Sequence, residues 1–130
     1  MRTIFRAETR SIAIASPPAG VHDYLADARN LTAWAPAFAP QIRREGGSWV
    51  VTAADREFNI DLLSEPASKT VDIVSANDHS RGLFTRVLPN ANGSELLFTL
   101  LFPSDTPEQA VNAQLLTLDS ELVAVRDACQ

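Results

Sequence analysis

His79 and Arg86 are the side chains best placed by type to do chemistry in this chain, which has two histidines and one cysteine in 130 residues. A histidine titrates near neutral pH, so His79, in Asn77-Asp78-His79-Ser80, would act as a general base if its ring turned inward. A turn position facing water is the plainer expectation. Arg86 shares strand parity with Phe84 and Leu88. Facing an interior, its guanidinium would hold a carboxylate or enolate oxygen through a donor fork that is always charged. Facing outward, it would snorkel from the convex surface. His22, beside Asp23, reads as the solvated side of a helix, and Asp61 has the wet parity of Glu57 and Asn59. Metal binding is not expected, because no C-x-x-C or H-E-x-x-H spacing occurs. Nucleophilic catalysis lacks a G-x-S-x-G elbow, and Cys129 sits at an end expected to fray. Gly46-Gly47 joins two strands, so it makes no phosphate loop. No cofactor is implied.

The elements that must position these residues follow a clear order. Thr9 to Ala15 alternates, with Ile12 and Ile14 on one face, as a half-buried strand does. Ser16-Pro17-Pro18 then opens a helix, Ser16 as cap and a proline in the first turn where no amide is needed. Val21, Tyr24, Leu25 and Ala28 fall at helical spacing. A second short helical turn, Asn30 to Trp34, ends before Pro36, since a residue preceding proline leaves the helical region. From Gln41 turn signals recur about every ten residues, as in an antiparallel meander. Strands are expected at 42–45, 49–53, 57–63, 70–75, 82–88 and 95–102. Phe58, Ile60 and Leu62 alternate with Glu57, Asn59 and Asp61, so one face is wet. Leu96 to Phe102 is apolar on both faces and is expected to be central. Asp105 or Thr106 caps a last helix with Pro107 in its first turn. Val111, Leu115, Leu118, Leu122 and Val125 then form one stripe over some twenty residues.

Size and charge narrow the function. A chain of 130 residues makes one domain, 1–130, with room for a core and an internal pocket. The net charge of -5 disfavours nucleic acid and anionic membranes, both of which demand clustered Lys and Arg. No apolar run reaches the ~20 residues of a membrane span, and Met1 to Arg6 has no signal-peptide core. A single cysteine excludes an internal disulfide and suits a reducing compartment. A soluble cytoplasmic protein is expected.

Two stretches carry a family resemblance. Ile12-Ala13-Ile14-Ala15-Ser16-Pro17-Pro18-Ala19-Gly20-Val21-His22-Asp23-Tyr24-Leu25-Ala26-Asp27, followed by Asn30-Leu31-Thr32-Ala33-Trp34-Ala35-Pro36, resembles the opening of the SRPBCC or START-like superfamily. Arg86-Val87-Leu88-Pro89-Asn90 with Asn92-Gly93-Ser94-Glu95-Leu96-Leu97-Phe98-Thr99-Leu100 is similar to a bacterial subgroup labelled polyketide cyclase or dehydratase-like. His22 departs from the pattern, which commonly has an aromatic there, and implies a more loosely packed first helix. The resemblance implies an α+β helix-grip fold: a curved antiparallel sheet of six to seven strands around a long C-terminal helix, with two short helices after the first strand. A small apolar molecule would lie between sheet and helix.

Within that fold, inward parity selects Trp34, Phe38, Trp49, Phe58, Phe84, Phe98, Leu100, Leu115, Leu118 and Leu122 as the pocket lining. For Trp34 and Trp49, core packing competes with ligand stacking. Three functions are open. The first is binding of a small hydrophobic, lipid- or polyketide-like molecule. The second is a cyclase or dehydratase that moves protons in the same cavity, with His79 as base and Arg86 on the oxyanion. The third is a protein-interaction module, which requires an exposed apolar patch. A homodimer across a sheet edge is compatible with the fold. The cone-shaped fold of ketosteroid isomerase-like proteins ranks well below, since it usually begins with a long helix.

Overall fold

In a computed structural model that describes residues 3–130, seven strands form one antiparallel sheet. Strand β1 (Arg6–Ile14) leads into helix α1 (Pro18–Ala26), a 3-10 turn (Ala28–Asn30) and the single turn α2 (Leu31–Trp34). Strands β2 (Gln41–Glu45), β3 (Ser48–Ala53), β4 (Arg56–Glu65), β5 (Thr70–Ser75), β6 (Asp78–Asn90) and β7 (Gly93–Phe102) follow as a meander, and α3 (Glu108–Cys129) closes the chain. The spatial order is β1-β7-β6-β5-β4-β3-β2. Strand β7 is thus an interior strand, second from the edge rather than central; β1 returns to pair with it from Arg6↔Phe102 to Ile14↔Ser94.

Tight hairpins set the register. Gly46 takes a φ of 61° in the turn between β2 and β3. Ala54 in the β3–β4 turn and Ala91 in the β6–β7 turn take φ of 56° and 49°, a conformation that costs a residue with a Cβ about 1 kcal/mol. Gly82, opposite the β5 irregularity at Val74/Ser75, lets two backbones approach: a Cβ there would meet the Ile73 carbonyl oxygen at 2.2 Å.

The concave face carries Ile12, Ile14, Leu96, Phe98, Val87, Val71, Ile73, Ile60 and Val51, and the α3 stripe Val111, Leu115, Leu118, Leu122 and Val125 closes over it. Helix α3 packs chiefly on β1 and β7 and against α1 and α2. It is tied to the β1 side along its length. Arg6 donates to both Glu108 carboxylate oxygens at 2.6 and 3.2 Å, and Arg10 lies 3.9 Å from Asp119. At the far end Ser16 Oγ donates to the Cys129 carbonyl, and the Ala15 amide donates to Gln130 Oε1 at 2.9 Å.

These contacts correct four expectations. Ser16 does not cap α1, whose N-cap is Pro17 with no side-chain bond; its hydroxyl holds the end of α3 instead. Neither Asp105 nor Thr106 caps α3, which starts from Pro107. Cys129 is half-buried in that helix rather than at a frayed end. His22 is only 3% exposed and donates from Nε2 to the Thr70 carbonyl at 3.1 Å, so the first helix is tightly seated. Because α1 is covered by the sheet and by α3 together, two adjacent positions, Val21 and His22, both fall inside.

Candidate functional site

A cavity of about 610 Å³ lies between the sheet and α3. Its walls are Phe58, Ile60, Ile73, Leu83 and Leu100 from the strands, Leu118 from α3, and Leu31, Trp34, Ala35 and Phe38 from α2 and the segment after it. Phe38 and Phe58 meet with ring centroids 5.5 Å apart, and Trp34 sits at the same distance over Phe98. Polar groups are few. Ser75 and Arg81 come from the β5–β6 hairpin, and Gln114, Thr117 and Glu121 from α3. An apolar chamber with a few polar side chains is the usual form of a small-molecule site.

Two polar groups on residues that line this cavity stand apart. The indole nitrogen of Trp34 is the one buried side-chain donor among the described residues without a partner. Such a group normally finds an acceptor. Glu121 has no hydrogen bond or ion pair to another described residue, and burial alone pushes its carboxyl up to about 7. Guanidiniums pull the surface carboxylates the other way: Arg29 lowers Asp27, Arg43 lowers Glu57 and Arg6 lowers Glu108. Asp72 is also raised by burial, but it accepts a backbone hydrogen bond from Thr85 and lies on the convex face in register with Phe84.

The structure gathers half of the expected lining. Trp34, Phe38, Phe58, Leu100 and Leu118 line the cavity. Phe98, Leu115 and Leu122 face the same layer but are fully packed in the core beside it. Trp49 has the inward parity yet faces a separate open groove, with the Arg44 guanidinium 5.4 Å from its ring centroid. Phe84 is on the opposite face: it pairs with Thr99, which is hydrogen-bonded to Thr9 across the outer surface at 2.8 Å. Arg86, of the same parity, is exposed there, so the inward reading of both is corrected. Their strand reads apolar on both faces, and parity alone does not say which face is concave. His79 is half exposed and its Nε2 lies 2.7 Å from Asp61 Oδ2, outside the cavity.

Sequence reasoning missed Glu121. Gln114 and Glu121 stand four residues before and three after Leu118, so they flank that member of the apolar stripe on one helix face. That signal was readable, but on an amphipathic helix such a flank normally points to water. Among the described residues no group of three or more His, Cys, Asp or Glu is arranged to hold a metal ion. No helix among them is long and apolar enough to cross a membrane.

This is a helix-grip, START-like fold. Solved structures share it over nearly the whole chain. XoxI from Bacillus cereus superposes with a TM-score of 0.72 at 15% identity, covering 95% of this chain and 94% of its own. The Aha1 dimer from Colwellia psychrerythraea gives 0.72 at 14%, covering 95% and 96%. The Zhui aromatase/cyclase from Streptomyces sp. R1128 gives 0.61 at 15%, covering 96% and 93%. At these identities the likeness is one of fold. No family model and no curated protein matches the sequence.

Proposed function

We propose that this protein binds a small hydrophobic or aromatic molecule in the cavity between its sheet and α3. The observation that carries the reading is the cavity itself, about 610 Å³ walled by aliphatic and aromatic side chains. Each Å² of apolar ligand surface removed from water there contributes roughly 25 cal/mol before ordering costs. Trp34, on the wall, would report occupancy through its emission. The test is native mass spectrometry of the purified protein with extraction of any bound molecule, together with titration of an uncharged aryl probe. A probe that leaves Trp34 emission unchanged and competes with nothing in the cavity would sink the reading.

A second reading, proton transfer of the cyclase or dehydratase kind, is favoured by one observation. Glu121 combines access to the cavity with a carboxyl near neutrality, the range suited to a general acid or base. His79 and Arg86 would take no part, because neither reaches the cavity. The interaction-module reading has less support: the large exposed apolar side chains among the described residues, Ile4, Phe5, Phe38, Leu63, Leu101, Leu116 and Val123, are spread over five segments. The Aha1 neighbour is a dimer, and a homodimer of this chain through the unpaired edge of β2 or β1 would leave the cavity intact.

A further inference from the structure

We infer that Glu121 is the polar anchor of the cavity and that the molecule bound there is an apolar or aromatic body bearing a protonated amine. The inference rests on the cavity-binding reading above and specifies its chemistry.

Three observations support it. Glu121 lines the cavity from α3, on the flank turned away from β1; two residues earlier, roughly 200° around the helix, Asp119 faces Arg10. Its carboxyl has no partner among the described residues, while the carboxylates of Asp27, Glu57, Asp61 and Glu108 all have a cationic or histidine partner. The walls opposite it, from the sheet and from α2, are mainly aliphatic or aromatic, while Gln114 and Thr117 flank it on its own helix. An ionised carboxylate in such surroundings gains most from a cation that brings its own hydrogen-bond donors, because the pair replaces the water that burial removed. A neutral ligand gains only a hydrogen bond, and an anionic one is repelled. The near-neutral titration of the group agrees with an unpaired, desolvated carboxyl.

The charged groups that face Glu121 must be weighed too. Arg81, from β6, is the one other ionisable side chain lining the cavity. It is exposed, at the rim, and its charge acts on Asp78, whose carboxyl it helps to hold low. Solvent screens it there. From α3 only Gln114 and Thr117 are polar, and from β5 only Ser75; all are neutral. No ion pair joins Glu121 to a cation among the described residues, and burial is the one cause that shifts its carboxyl.

The experiment compares three probes on one naphthalene ring, an arylmethylamine, an arylmethanol and an arylcarboxylate, by calorimetry at pH 8 and pH 5.5. The wild type should bind the amine about tenfold more tightly than the alcohol at pH 8, with the carboxylate weakest. The preference for the amine should shrink at pH 5.5, where Glu121 is protonated. It should vanish in Glu121→Gln, which keeps side-chain size and helix propensity, and persist in Arg81→Gln. The pH comparison on the wild type stands even if a variant folds poorly. If amine and alcohol bind equally at pH 8, or the preference survives Glu121→Gln, the anchor is wrong and the cavity reading stands. If none of the three probes binds, both fall together.

Discussion

The two flanks of α3 meet the same sheet in opposite ways. On the β1–β7 side the helix is seated and tied, with Val111, Leu115, Leu122 and Val125 buried and with Glu108 and Asp119 facing Arg6 and Arg10. Toward β4 and β5 the helix stands off a sheet that curves away, and Leu118, Gln114 and Glu121 look across a void to Phe58, Ile60 and Ile73. A straight rod fixed to one edge of a curved sheet cannot also touch the other. The helix is thus tethered on its β1 flank and faces the cavity on the other, so the contacts that hold it and the proposed binding fall on different flanks.

That division can be broken most forcefully on the seated side. Leu122→Ala should cost about 2–5 kcal/mol of unfolding free energy, the usual price of a buried leucine cavity, whereas Leu100→Ala on the half-buried cavity wall should cost clearly less. Denaturant titration of both variants measures the contrast, and equal losses would remove the distinction between the flanks.

Filling is the complementary test. Ala28 is 2% exposed in the core, and Ala28→Phe should lose at least about 1–3 kcal/mol through overpacking. Ala53 lines the cavity, and Ala53→Phe should change stability by less than about 1 kcal/mol while weakening binding of an uncharged aryl probe. Probe affinity wholly unchanged in a folded Ala53→Phe protein would argue against a site on that wall.

The pH dependence of stability sharpens the comparison further. Glu121 titrates at about 7 in the folded chain against an ordinary 4.5. Between those values the folded state holds a proton that the unfolded chain has lost, so this group's contribution to stability falls as pH rises from about 4.5 to about 7. Glu121→Gln has no such titration. Its stability relative to the wild type should therefore rise across that window, by on the order of 1 kcal/mol once partial exposure is allowed for. Urea melts at pH 5 and pH 8 decide it; a pH-independent difference would show that the carboxyl is solvated.

The smallest effects belong to the convex face. His79→Ala and Arg86→Ala should leave probe affinity unchanged and shift stability by no more than about 0.5–1 kcal/mol, since exposed pairs such as His79 with Asp61 contribute little. A loss of binding in either variant would bring the convex face into the site.

Much of this architecture is legible in local patterns. The alternation at Ile12 and Ile14 and the α3 stripe depend on periodicity, and the proline-marked helix starts on proline's fixed φ and missing amide, all of which near neighbours enforce. The turn at Ala54-Asp55 was less visible, because an alanine is not a usual residue for a positive φ. His22 was misplaced for another reason: its burial comes from a sheet and a helix that arrive from distant parts of the chain. Trp49 and Phe84 show the same limit within strands. Parity sorts residues into two faces, but curvature and the position of α3 decide which face is inside and which part of that face is empty.

The sequence by itself determined the order of elements and the apolar character of the interior, because these follow from spacing and side-chain type along the chain, and its family resemblance implied the helix-grip fold. Tertiary structure alone decided that Arg86 and Phe84 face outward, that His79 lies outside the cavity, and that Glu121 stands unpaired at its wall. The physical reason is that burial and pairing are properties of three-dimensional neighbours: the offset of one tethered helix across a curved sheet placed a flanking glutamate, half-buried, at the wall of a cavity.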